Sequence, residues 1–434
     1  MIGQVKNVFF SSLLTIASCL AAQAQTAKEK WVDSVFLTLG QNEKLGQLFI
    51  ARVSAHSDPQ IVRSVEKSAE AGDVGGIIFT TGSIGKQARI TNALQGQAKI
   101  PLLVSQDASS GLGTLLDSAV AFPLPVEQAA LSDDSLIYSI AREIGRQMKV
   151  MGIQMSLSPN ATPFGTESTN ANMVYGDDAE RVAHRSMLHM MGLQDAGVLS
   201  CAKYFPLKSI EVLDQKANSH LTLYHDTLVS APYRHLFKHG LNAVMPDVAS
   251  LVDYYELKKS DLKKKVTDNT FQQFEAGDLL HQPLGYAGVV MVDVQSLERA
   301  SDKFQPGDAA LFAFQAGADL IITNDDPDPA LKKIKKLIRT DRKYSALLDE
   351  RVKKMLALKY DAGLFKTTPV DLTFLYSQLH TNETHVLRSR ALKESITVAK
   401  NSDNILPVVS LEDRNFTCLI AGDSNRADIF YRSI

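Results

Sequence analysis

Gly288-Val289-Val290-Met291-Val292-Asp293 sets four apolar residues in a row and ends them on a carboxylate. An unbroken apolar run of strand length is what a strand buried on both faces requires. The pattern recurs in seven other places: Leu48-Phe49-Ile50, Gly75-Gly76-Ile77-Ile78-Phe79, Pro101-Leu102-Leu103-Val104-Ser105, Ile153-Gln154-Met155-Ser156-Leu157, Gly197-Val198-Leu199-Ser200-Cys201-Ala202, Asn242-Ala243-Val244-Met245 and Asp319-Leu320-Ile321-Ile322. Helix-like stretches separate them. Residues 134–151, for example, carry apolar side chains at helical spacing, with Gly152 just beyond. Eight buried strands alternating with helices predict an α/β fold, a (β/α)8 TIM-type barrel, rather than an open sheet. No glycine-rich nucleotide fingerprint follows the first strand, which argues against a dinucleotide-binding fold. In such a barrel the carboxyl ends of the strands face the active site. Asp107, Asn160, Lys203, Asp247, Asp293 and Asn324 stand there. Each alone is also a residue type that caps helices and closes loops.

The chain has 434 residues, 46 basic and 48 acidic, for a net charge of −2. Nothing in that balance suggests nucleic acid or an anionic membrane as the main partner. Its 45% hydrophobic and 22% charged content suits a globular protein with a substantial core. Cys19, Cys201 and Cys418 are far apart, which excludes a disulfide scaffold and a zinc ribbon. Residues 1–24 read as a signal peptide: Lys6, an apolar run over 8–20 too short to span a bilayer, then Ala22-Gln23-Ala24 as a small-x-small cleavage site. Ile16-Ala17-Ser18-Cys19 also resembles a lipobox, which would make Cys19 a lipidated N-terminus; cleavage after Ala24 is preferred. Either way the expected location is periplasmic or extracellular, with no transmembrane segment. The barrel is expected over 25–366. Residues 367–434 are expected to form a linker, a charged amphipathic helix over 377–399 and the truncated start of a second α/β domain with one strand at 416–421.

Taken in order, the segments resemble the family-3 glycoside hydrolases, especially their bacterial β-N-acetylglucosaminidase branch. The resemblance runs through Lys44-Leu45-Gly46-Gln47-Leu48-Phe49, Gly75-Gly76-Ile77-Ile78-Phe79, Pro101-Leu102-Leu103-Val104 with Asp107, and Phe122-Pro123. It continues through Tyr175-Gly176-Asp177-Asp178, Gly192-Leu193-Gln194-Asp195-Ala196-Gly197-Val198 and Ala202-Lys203-Tyr204-Phe205-Pro206. Ser219-His220, the Asp293 strand, and Ser395-Ile396-Thr397-Val398-Ala399-Lys400-Asn401 with Leu406-Pro407 complete it. The resemblance implies retaining hydrolysis of a β-linked amino sugar such as a peptidoglycan or chitin-like fragment, with no cofactor and no metal. Such chemistry uses a carboxylate nucleophile and a group that protonates the leaving oxygen.

Carried over residue by residue, Asp293 falls on the family's nucleophile and His220 on its loop acid/base. The Asp that orients this His two residues earlier is Asn218 here, which can accept a hydrogen bond but brings no charge to imidazolium. Asp214, in the same lengthened loop, is an alternative partner. Asp107 and Lys203 fall on sugar-hydroxyl ligands. Tyr204 replaces a His after the Lys, Met173 replaces a substrate-gripping Arg, and Leu112 replaces another charged residue. The expected partners are a β-linked amino-sugar oligosaccharide and a further C-terminal domain, with no nucleic acid. A second hypothesis follows from the losses: a catalytically inactive barrel that binds a glycan or serves a partner domain.

Overall fold

The computed structural model describes residues 25–164, 171–206, 227–248, 286–300, 304–323, 327–402 and 406–409. Eight parallel strands close into a barrel: β1 (Phe49–Val53), β2 (Gly76–Phe79), β3 (Leu103–Gln106), β4 (Met155–Ser156), β5 (Leu199–Pro206), β6 (Ala243–Asp247), β7 (Val289–Asp293) and β8 (Leu320–Thr323). Each pairs with its neighbours in sequence order, and β8 returns to β1 through Phe49↔Ile321 and Ala51↔Thr323. The eight apolar runs of the sequence are these eight strands. Two further two-residue strands, Gly82–Ser83 and Leu116–Asp117, pair with each other as a separate sheet.

Side chains alternate along a strand, so each strand divides between the barrel interior and the helical shell. Ile50, Ile78, Leu103, Met155, Cys201, Met245, Met291 and Ile322 share one buried cluster inside the barrel. Met355, Leu358, Ala362 and Leu364 join it from the helix Arg342–Asp361 and its exit, closing the base. The alternate residues, Phe49, Ala51, Ile77, Val104, Ala202, Val244, Val290 and Ile321, belong to the second cluster between strands and helices. Continuous apolar composition is therefore a consequence of having two faces to bury.

The helix Ser135–Val150 buries Leu136, Ile137, Ile140, Ala141, Ile144 and Met148, and ends before Gly152 in the left-handed region at φ 69°. It lies tight against the helix Ala179–Asp195: a Cβ on Gly192 would stand 2.4 Å from the Tyr138 carbonyl. That contact explains why a glycine stands inside a helix, where it costs about 1 kcal/mol against Ala.

The chain divides into two compact units, Met1–Ser395 and Ile396–Ile434. Residues 367–395, expected with the second domain, lie in the first unit. Asn92 Nδ2 donates to the Val370 carbonyl at 2.9 Å, Arg146 Nη1 to the Gln378 carbonyl at 2.9 Å, and Thr384 Oγ1 to Glu143 at 2.6 Å. The expected helix over 377–399 is two, Leu375–Leu379 and Asn382–Glu394, because Thr381 caps the second by accepting from the Thr384 N–H. In the second unit the Asn401 side chain bonds both the N–H and the C=O of Leu406. The expected strand over 416–421 lies outside the described residues, as do residues 1–24. No helix among the described residues is long and apolar enough to cross a membrane.

Candidate active site

The inward phase of the strands carries beyond the apolar floor into the barrel mouth. Ile50 is followed two residues on by Arg52, Cys201 by Lys203, Met245 by Asp247 and Met291 by Asp293; Asp107 continues the phase of Leu103 one residue past β3. A parallel barrel thus lifts charged side chains clear of the floor on the face where its strands end.

Among the described residues two ion pairs span this mouth, each crossing one intervening strand. Lys203 on β5 pairs with Asp107 beyond β3, over β4. The lysine side chain is 7% exposed and the aspartate 35%. Asp107 Oδ1 also accepts from the Ser109 hydroxyl at 2.7 Å and from its N–H at 3.3 Å. Burial alone would drive the Lys203 ammonium toward neutrality, but Asp107 outweighs it and holds the amine above its usual range. Burial opposes ionisation of Asp107 as well, and Lys203 with Ser109 brings its carboxyl below the usual value. Lys203 is fixed by its backbone too: its N–H donates to the Pro159 carbonyl at 2.9 Å and its carbonyl accepts from Ala161 at 3.1 Å.

The second pair joins β1 and β7 across β8. Arg52 Nη2 donates to Asp293 Oδ2 at 2.8 Å, with side chains 24% and 22% exposed. Asp293 Oδ1 accepts from the Gln295 N–H at 3.1 Å, at the start of the helix Val294–Ala300. Asp293 therefore ends its strand, caps the next helix and opens onto the mouth at once. Glu298, one turn along that helix, has its carboxyl raised by partial burial and by the Asp293 charge.

Tyr204 is 40% exposed beside Lys203, with its ring centroid 5.8 Å from the Lys203 Nζ. Met173 is half-buried in the turn Ala171–Met173, on the connection after β4. Asn160 is 5% exposed and its Oδ1 accepts from Thr162 N–H at 3.0 Å, so it serves the loop rather than the mouth. Leu112 is wholly buried in the outer core. His220, Asn218, Asp214 and Asn324 lie outside the described residues. The structure thus joins Asp107 with Lys203, and gives Asp293 a partner, Arg52, which the sequence reading passed over. Behind the mouth a buried chain runs Ser156–Ser158–His189–Tyr175, with His189 Nε2 2.8 Å from Ser158 Oγ and Nδ1 2.9 Å from the Tyr175 hydroxyl. Burial pushes the His189 imidazole down to about 4, so it is neutral and structural. No group of three His, Cys, Asp or Glu among the described residues is arranged to hold a metal ion.

The profile of the glycosyl hydrolase family 3 N-terminal domain matches residues 41–358, the span from the helix before β1 to the helix that closes the base. The chain belongs to glycosyl hydrolase family 3. It is 25% identical over 386 residues to a beta-N-acetylglucosaminidase/beta-glucosidase of Cellulomonas fimi, covering 87% of this chain and 68% of that protein. It is 25% identical over 343 residues to the beta-hexosaminidase LpqI of Mycobacterium tuberculosis, covering 74% of this chain and 83% of that protein. Among solved structures it resembles a family-3 beta-N-acetylglucosaminidase from Paenibacillus sp., with a TM-score of 0.62, 24% identity and coverage of 83% and 69%. A beta-glucoside phosphorylase, BglX, superposes with a TM-score of 0.69 at 19% identity, covering 89% of this chain and 71% of that one. At these identities the structural likeness concerns the fold. It agrees with the (β/α)8 barrel expected from the strand pattern.

Proposed function

We propose that this family-3 chain is an exported retaining glycoside hydrolase of the β-N-acetylhexosaminidase type, with Asp293 as its nucleophile. One observation carries the assignment. Asp293 is a strand-end carboxylate in the barrel mouth whose two oxygens are both held by donors, in a chain that belongs to a glycosidase family. The reaction would run in two steps. A carboxylate oxygen of Asp293 forms a bond to the anomeric carbon while the glycosidic C–O bond breaks, and the leaving oxygen takes a proton from His220. Water, deprotonated by His220, then displaces Asp293 from the sugar. Asp107 and Lys203 supply the polar contacts to sugar hydroxyls, and the exposed Tyr204 ring supplies an apolar face. The hexosaminide preference is drawn from the relatives in Cellulomonas fimi and Mycobacterium tuberculosis. Export is drawn from Lys6, the apolar run over 8–20 and Ala22-Gln23-Ala24. Intact mass of the secreted form tests it: a start at Gln25 is expected, and lipid on Cys19 would replace it with the lipoprotein form.

One observation favours a second reading, a glycan-binding barrel without turnover. Lys203 and Asp107 satisfy each other, and Met173 offers no charge where the family's arginine would stand. Sugar hydroxyls must then compete with a formed ion pair. Assay of the purified protein on aryl β-N-acetylglucosaminide and aryl β-glucoside separates the two. Release of the aryl group that Asp293→Asn abolishes supports the hydrolase; oligosaccharide binding without release supports the binder.

A further inference from the structure

We infer that Arg52 is the positioning residue for the Asp293 carboxylate, holding one oxygen while the Gln295 N–H holds the other. This deepens the hydrolase proposal and rests on Asp293 being the nucleophile. Arg52 reaches Asp293 across β8 from the inward phase of β1, 241 residues away in sequence. With Oδ2 bonded at 2.8 Å and Oδ1 at 3.1 Å by donors from different elements, rotation of the carboxylate about its Cβ–Cγ bond is stopped. A nucleophile held near its attack geometry avoids the entropy of finding it.

Arg52 is bonded unlike the arginines that hold the fold together. Arg351 donates to the Phe314 carbonyl at 2.8 Å, Arg185 to the Tyr175 carbonyl at 3.0 Å, and Arg146 to the Gln378 carbonyl at 2.9 Å. Each ties its segment to a distant backbone carbonyl, and Arg185 and Arg146 also pair with a carboxylate, Asp134 and Glu143. Arg52 bonds no carbonyl among the described residues. Its Nε is buried without an acceptor, and its bond goes to Asp293. A guanidinium taken partly out of water for one carboxylate is spent on that carboxylate's orientation. The pair has a chemical cost as well: a cation beside the nucleophile opposes positive charge developing at the anomeric carbon.

The test is covalent trapping of the full chain by a 5-fluoro N-acetyl-β-glucosaminyl fluoride. An Asp293 oxygen forms the bond to the anomeric carbon and fluoride leaves with the electron pair, so the step does not lean on His220. Wild-type protein should be labelled on the peptide containing Asp293. In Arg52→Met the maximal labelling rate should fall about 10- to 100-fold, the worth of one charge-assisted hydrogen bond. The half-saturating concentration should stay within about two-fold, since a positioning group acts on the step rather than on binding. Arg52→Lys, which keeps the charge but not the fork, should recover part of the rate. Should Arg52→Met fail to fold, Arg52→Gln reads the same quantities. Labelling of Asp293 at the wild-type rate in the Met or Gln variant overturns the role of Arg52 and leaves the nucleophile standing. A loss confined to half-saturation makes Arg52 a substrate ligand and also overturns it. No wild-type label, or a label elsewhere than Asp293, overturns both.

Discussion

The two ends of the barrel use charge differently. At the mouth, Lys203 faces Asp107 and Arg52 faces Asp293, side chain to side chain across the opening. At the base, Asp319 accepts from the Lys354 ammonium and from the Val290 N–H, each at 2.8 Å, so its charge is used to hold β7 against β8. Nearby, Lys359 is fully buried and among the described residues has a neutral partner, the Gln47 side-chain amide oxygen at 2.6 Å. Base charges are thus tied into the closed end of the fold: Asp319 joins Lys354 to a strand N–H, and Lys359 bonds a side-chain amide. Mouth charges hold one another where an incoming ligand can compete for them. That contrast matches the general division of a (β/α)8 barrel into a chemical face and a stability face.

The largest effects should come from the mouth and should appear in rate. Asp293→Asn keeps the shape and a hydrogen-bond acceptor but removes the nucleophile; it should lower glycosidase turnover by at least about 10³-fold. Its melting temperature should move little, because a capping Asn still accepts from the Gln295 N–H. Turnover within ten-fold of wild type would make Asp293 a cap and nothing more. Next comes the loop. Asn218→Asp should raise hydrolysis of an aryl β-N-acetylglucosaminide, most for poor leaving groups, which need the proton most. The gain is bounded above by about 10⁴-fold, the cost of the equivalent change in a serine-protease triad. If Asp214→Asn alone destroys activity, the longer loop has recruited Asp214 as the partner of His220.

The two mouth pairs should themselves separate when stability is measured. Lys203→Met leaves Asp107 in a site that disfavours its charge. Breaking a buried pair costs about 3–5 kcal/mol, but Asp107 is a third exposed and water recovers part of it, so about 2–3 kcal/mol is expected. Arg52→Met leaves a carboxylate that still has its backbone donor and its solvent, and should cost less than about 1 kcal/mol. Urea unfolding of the two variants checks the order. Equal losses would mean that Arg52 supports the fold as much as Lys203 does, and the energetic contrast between the two mouth pairs would fail.

Much of the fold was legible because burial on two faces writes itself into composition. All eight strands are apolar runs, and even the two-residue β4 is announced by Ile153-Gln154-Met155-Ser156-Leu157. The place of Asp293 at a strand end in the mouth was legible because a charge at the end of such a run has no packing reason to be there. Arg52 was not. It sits inside Phe49-Ile50-Ala51-Arg52-Val53, where a lone long cation reads as a side chain reaching for solvent. Only closure of β8 onto β1 brings it to β7. Asn160 takes the loop role that its residue type equally allowed: a short polar side chain at a strand end bonds a neighbouring N–H as readily as it faces a ligand. The boundary at 366 was set by Thr367-Thr368-Pro369, which has linker composition but is anchored next door through Val370 and Asn92. Local composition reports where a chain can turn, and says nothing of what the turned segment then packs on.

The last expected effect belongs to the base, where no activity is at stake, and tests the other half of the contrast. Burial lowers the Lys359 amine to about 7, against about 10.4 in an unfolded chain. Between those values the unfolded state binds a proton that the folded state does not, so stability rises with pH and is lost as pH falls toward 7. The ceiling is about 1.4 kcal/mol per pH unit. Cys201, pushed up to about 12 by burial, acts in the opposite direction once an unfolded thiol ionises near 8.5, so the clean window is about pH 7 to 8.5. Across it the wild-type protein should gain about 1–2 kcal/mol by urea unfolding. Lys359→Met should flatten that gain. At pH 7 its own stability should be close to wild type, since the unpaired Gln47 oxygen, about 1–3 kcal/mol, offsets the relief of removing a buried amine. Lys203→Met should leave the slope in place, because Asp107 keeps the Lys203 amine charged throughout the window. A slope that survives Lys359→Met and disappears in Lys203→Met would reverse the two ends, making the mouth lysine the strained one.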